Sequence, residues 1–175
     1  MWYAGEPRYL PIFAGDNLVA IGEPGDYVEA GQTVFGVPIL VNDQPKYYLA
    51  LPYQGVNNCP IEKFRAWDDH WVLEMEGEVL VDSEKLTQKY LYEQVFNWQL
   101  INGEEFFLFK EAGYYGMFYN GGDLSISYGE IVHWPCIDQQ GGGGVNLSAA
   151  SSDQIVTFFA RRGMAWYYVE VESAQ

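Results

Sequence analysis

The dipeptide Asn102-Gly103 constrains this chain more than any other feature. Asn and Gly tolerate the two positive φ angles of a type I′ turn, the tight loop that joins antiparallel strands. On its two sides run Val-Phe-Asn-Trp-Gln-Leu-Ile (95–101) and Glu-Glu-Phe-Phe-Leu-Phe (104–109). A two-residue loop places Ile101 opposite Glu104, Trp98 opposite Phe107 and Phe96 opposite Phe109, so that rings stack across the strands. The competing reading is a helix over 83–101. It fails because the apolar residues from Leu86 to Ile101 fall on every side of a helical wheel. The sequence therefore predicts a short helix near 84–92 and a hairpin after it.

Turn signals of the same kind punctuate most of the chain. Ala112-Gly113 and Asn120-Gly121-Gly122 divide residues 106–128 into further short runs, and Leu124, Ile126 and Tyr128 alternate with Ser125 and Ser127 as in a half-buried strand. Upstream, Glu76-Gly77 separates residues 71–75 from 78–81. Gly15-Asp16, Pro24-Gly25-Asp26, Ala30-Gly31 and Asp43-Gln44-Pro45 break the first fifty residues into strand-length pieces. A second helix is expected near 152–162. Ser151 with Gln154 reads as a capping box, Arg161 and Arg162 suit a helix C-terminus, and Gly163 can close it. Residues 164–172 read as a final strand, with Trp166, Tyr168, Glu170 and Glu172 on one face and Tyr167, Val169 and Val171 on the other. The run Gly141-Gly142-Gly143-Gly144 reads as a flexible loop, since no lysine follows it as a phosphate cradle requires.

The fold class expected is mainly β. An antiparallel meander forms a sandwich or a partly open barrel, with the two short helices beside it. Apolar residues make up 49% of the chain, enough to bury a core in a single domain over 1–175, with a subdivision at 1–60 and 61–175. No run is long and apolar enough for a transmembrane helix, and no basic, apolar leader is visible, so a cytoplasmic location is expected.

Charge narrows the choice of partners. Nine Lys and Arg face 24 Asp and Glu, a net charge of −15. Such a chain is repelled by nucleic acid and by anionic membrane surfaces. Eight acidic residues lie between Glu62 and Glu84. They keep the protein soluble or match a basic partner. Aromatic residues reach 17%, with Tyr more numerous than Phe. Tyr and Trp suit half-wet contact surfaces.

Candidate site residues are few. Asp68-Asp69-His70 between Trp67 and Trp71 is the most site-like cluster, because a carboxylate beside an imidazole can orient it as a base. It also reads as a polar turn with tryptophans packed inward. Tyr48 and Tyr115, from the Tyr-Tyr pairs, join Trp67, Asp68, Asp69, His70 and Trp71 as candidate binding residues. Cys59, His70, His133 and Cys136 make up a candidate Cys2His2 zinc set, though without the paired Cys-x2-Cys knuckle. The two cysteines also permit a disulfide by count.

Residues 25–32, Gly-Asp-Tyr-Val-Glu-Ala-Gly-Gln, resemble the half-motif of biotinyl and lipoyl domains. That resemblance implies a cofactor-bearing lysine before Leu51-Pro52. Gln44 stands at its position and Lys46 is out of register, so no cofactor is expected.

The function expected is a non-enzymatic acidic binding or assembly protein. It docks a basic protein partner, as an inhibitor, an immunity-type protein or a nucleic-acid mimic does, or it associates with itself. The alternatives are a small-ligand-binding β-barrel, and a hydrolase or metal site using His70 with Asp68 and Asp69.

Overall fold

Among the described residues, five two-residue turns have positive φ at both central residues: Asn42-Asp43, Asp82-Ser83, Asn102-Gly103, Ala112-Gly113 and Asn120-Gly121. They are the type I′ geometry, whose twist matches that of the strands they join. The structure is a computed structural model and describes residues 10–29, 31–50, 61–75, 77–133, 150–151 and 154–172. The chain is mainly β, and among the described residues it is built of antiparallel sheets with one short helix, and no sheet closes into a barrel. Among the described residues no helix is long and apolar enough to cross a membrane. The chain divides into two compact units, residues 1–73 with 80–84, and residues 74–79 with 85–175.

The first unit begins with five strands: β1 (Ile12–Ala14), β2 (Asn17–Ile21), β3 (Gly25–Glu29), β4 (Gln32–Val41) and β5 (Gln44–Ala50). The ten-residue β4 is central. β3 and β2 pair with its two halves on one side, and β5 pairs on the other. Val37 and Ile39 of β4 are fully buried. β6 (Ile61–Trp67), β7 (His70–Met75), β8 (Glu78–Val81) and β9 (Glu84–Lys85) then form a meander in that order.

The second unit is a two-sheet sandwich. After α1 (Leu86–Tyr90) come β10 (Gln94–Ile101), β11 (Glu104–Glu111), β12 (Tyr114–Tyr119) and β13 (Gly122–Asp123), again in sequence order. β14 (Glu130–Ile131), β15 (Ala150–Ser151), β16 (Ile155–Arg162) and β17 (Ala165–Glu172) make the other sheet, with β16 central. Phe96, Phe106, Leu108 and Met117 from the first sheet meet Tyr128, Val156, Phe158 and Ala160 in one buried cluster. Each large side chain buried there contributes about 1.5–3 kcal/mol. The opposite face of the meander is also covered. Tyr90 lies 4.7 Å from Phe118, Tyr92 stacks on Phe109 at 4.0 Å, and Phe107 stacks on Phe118 at 4.3 Å.

Four expectations need correction. The helix expected near 152–162 is the strand β16. Its sequence Ile-Val-Thr-Phe-Phe-Ala-Arg-Arg is rich in β-branched and aromatic residues, and Val156, Phe158 and Ala160 bury on one face while Ile155 and Thr157 stay more exposed. Gly163, at φ +62, turns the chain into β17 rather than capping a helix. The helix near 84–92 is present but shorter, Leu86–Tyr90, and stops at Leu91 with φ +63. The hairpin at Asn102-Gly103 pairs Ile101 with Glu104 as expected, but Phe96 faces Leu108 rather than Phe109. A bulge between Phe96 and Gln99 absorbs the extra residue, with Asn97 at φ +55. Residues 124–127 leave the strand path after β13, and only Tyr128 rejoins it, bridging Tyr115.

Candidate binding groove and the His70 turn

The turn at Ala112-Gly113 sets the register of β11 and β12. It places Glu111 opposite Tyr114 and Phe109 opposite Gly116. All four lie on one face, because side chains alternate along a strand. Residues 123–127 run beside that face, held by Leu124 N–H donating to Met117 O (2.8 Å) and by the paired Tyr115 and Tyr128 backbone bonds (2.8 Å). An open groove of about 290 Å³ lies between them, lined by Phe109, Glu111, Tyr114, Asp123, Ser125 and Ser127 among others.

The chemistry of the groove is one-sided. Glu111 and Asp123 supply carboxylates, and among the described residues no Lys or Arg lines it. Tyr114 is 61% exposed and offers a ring face. The Tyr92 hydroxyl donates a hydrogen bond to Asp123 Oδ1. Burial, and then that hydrogen bond, push the Tyr92 hydroxyl well above its ordinary pKa, so it stays a donor at neutral pH. The bond fixes Asp123 while leaving its side chain exposed. Carboxylates beside an aromatic face suit an ammonium or guanidinium group.

Of the candidate residues, Tyr115 borders this groove but sits on the other face of β12. It lies 6.1 Å from Phe96, and Lys110 Nζ is 5.9 Å from its ring. Tyr114 is the outward member of that pair. Sequence reasoning missed Tyr114, Glu111 and Asp123. The signal for two of them was present: a two-residue loop at Ala112-Gly113 puts Glu111 and Tyr114 directly opposite one another.

The first unit gathers Trp67, Asp68, Asp69, His70 and Trp71 at the turn between β6 and β7. Asp68 takes φ +47, and its carbonyl accepts from Gly15 N–H at 2.6 Å. Trp71 is buried, while Trp67 is half-buried and stacks on the His70 ring at 5.2 Å. Asp82, one of the eight acids from Glu62 to Glu84, completes the cluster. His70 Nδ1 lies 2.5 Å from Asp82 Oδ2, and the other Asp82 oxygen accepts Trp71 N–H at 2.9 Å. His70 Nε2 lies 3.3 Å from Asp69 Oδ1. The hydrogen bond to Asp82, with the charges of Asp82, Asp69 and Asp68, raises the His70 pKa against a smaller opposing effect of burial. The imidazole thus has a carboxylate near each nitrogen, and both favour its protonated form.

Tyr48 is half-buried and packs on Tyr27 at 4.8 Å, and the Tyr27 hydroxyl donates to Glu23 O at 2.5 Å. Of the candidate zinc set, His70 belongs to the first unit. His133, in the second, lies 4.4 Å from the Phe96 ring. Cys59, Cys136 and the glycine run 141–144 lie outside the described residues. Lys46 is an exposed residue of β5. No family model, curated protein or solved structure matches this chain.

Proposed function

We propose that this protein is a non-enzymatic binding protein, and that the groove at Tyr114 receives a lysine or arginine side chain of a basic protein partner. One observation carries this reading: Glu111 and Asp123 line a groove with an exposed tyrosine ring, and among the described residues no cation lines it. The net charge of −15 supports it, since the long-range field draws basic partners in and repels acidic ones.

Calorimetric titration with a short arginine-rich peptide, at low and at raised salt, tests the proposal. Glu111→Gln and Tyr114→Ala are each expected to weaken binding about tenfold, the size of one partly desolvated charge or ring contact. Glu84→Gln, an exposed acid in the other unit, removes the same charge and should change affinity less than twofold. Equal losses for Glu111→Gln and Glu84→Gln, with none for Tyr114→Ala, would mean that the peptide reads only the diffuse field, and the groove would then have no role.

A further inference from the structure

We infer that β17 pairs edge to edge with β17 of a second copy, making a two-fold dimer through a continuous sheet. The inference does not rest on the groove.

The starting point is the side of β17 that faces away from β16. All eight of its residues pair with β16, and no other described strand pairs with it. A long open edge presents a row of unsatisfied N–H and C=O groups. Which residues point outward follows from the other side of β16. Val132 N–H donates to Phe159 O at 2.9 Å and Gly129 N–H to Arg161 O at 2.8 Å. The odd residues of β16 therefore bond toward β14, and the even ones, Phe158, Ala160 and Arg162, bond toward β17. Their partners in β17 are Val169, Tyr167 and Ala165. Trp166, Tyr168, Glu170 and Glu172 are left with their backbone groups directed outward.

This spacing is self-complementary. An antiparallel copy related by a two-fold axis at Val169 sets Trp166 against Glu172 and Tyr168 against Glu170, and every outward backbone group in 166–172 finds a partner. On the outer face each acid then lies beside a ring rather than beside another acid. Trp166 is 51% and Tyr168 56% exposed, so both have ring area to cover. Arg161 stands opposite Trp166 on the inner side, with a 3.0 Å bond to Glu130. In the dimer it lies on the far side of Trp166 from Glu172 of the second copy, which gives that row alternating charge across an aromatic ring. On the core-side face Val169 meets Val169 and Tyr167 meets Val171. The acids also select the register. Shifting the axis one residue toward the C-terminus would set Glu170 against Glu170, and like charges directly opposite are unfavourable.

Two measurements test the dimer. Native mass by light scattering should be twice the chain mass, and the dimer should tighten with salt, because two bodies of charge −15 repel. Tyr168→Pro removes an outward N–H while leaving the β16 ladder intact, and it should weaken association at least tenfold. In a background with Cys59 and Cys136 replaced by Ser, Val169→Cys should oxidise readily to a covalent dimer, whereas Val171→Cys should not, since residue 171 meets residue 167. This second arm stands even if the proline variant does not fold. A monomer at all salt concentrations overturns the inference. So does a dimer in which Val171→Cys links as fast as Val169→Cys. The outcome is separable from that of the groove, whose binding must weaken with salt.

Discussion

Phe109 occupies the space a side chain at residue 116 would need: a Cβ on Gly116 would fall 2.3 Å from Phe109 Cζ. The glycine lets the ring lie flat over β12, where Tyr92 stacks on it from the other side. Gly116→Ala should therefore displace Phe109, disturb the stack and narrow the groove. Overpacking of a well-filled site costs about 1–3 kcal/mol. Urea unfolding should show that loss, and peptide binding should fall with it even when the variant is fully folded.

The Tyr92–Asp123 bond can be separated from the stack by two substitutions at one position. Tyr92→Phe keeps the ring on Phe109 and loses only the hydroxyl bond, which is exposed on the Asp123 side. The expected cost is about 1 kcal/mol. Tyr92→Ala also uncovers Phe109 and should cost about 3 kcal/mol or more. Because burial raises the hydroxyl pKa, Tyr92 should remain un-ionised in ultraviolet titrations at pH values where exposed tyrosines have already ionised.

His70 gives the fold a pH dependence of known sign. Its pKa is raised in the folded state, chiefly by Asp82, so folding favours the protonated imidazole. That contribution is fully present below the ordinary histidine pKa of about 6.5 and is lost as the pH rises through the higher folded value. The urea midpoint should fall across this interval in the native protein. Asp82→Asn should remove most of the slope and return the His70 titration, followed by its ring proton resonance, toward the ordinary range. An unchanged titration would mean that Asp82 does not hold the proton.

How much of this was legible in the sequence depends on the range of the interaction. The turns were legible because Asn and Gly at 102–103 and 120–121 carry their own conformational preference. Asn42-Asp43 and Asp82-Ser83 take the same geometry without a glycine, so they signal it weakly. β16 was misread because Ser151, Gln154 and Gly163 mimic helix ends. Pairing with β17 outweighs those local signals of about 1 kcal/mol. Asp82 was invisible as a partner of His70, since twelve residues separate them and only the pairing of β7 with β8 brings them together. The groove needed the departure of residues 124–127 from the strand path. The alternation of Leu124, Ile126 and Tyr128 with Ser125 and Ser127 predicts the opposite.

The bulge at Asn97 supplies the last test. Asn97 is 2% exposed, has φ +55, and donates its backbone N–H to the Glu74 carboxylate, itself 1% exposed. Asn accepts this left-handed conformation better than other non-glycine residues. Asn97→Val should therefore be strongly destabilising, because a β-branched residue is strained there, whereas Asn97→Gly relieves the backbone and loses only the side chain's contacts. At the other end of the bond, Glu74→Leu leaves a buried N–H without its acceptor, at a cost of about 1–3 kcal/mol. Glu74→Gln retains an acceptor oxygen and should lose less. Unfolding midpoints in the order native, Glu74→Gln, Glu74→Leu are expected. If Leu were tolerated as well as Gln, the bulge would be held by packing of Phe96 and Trp98 alone and the carboxylate would have no part in setting the strand register.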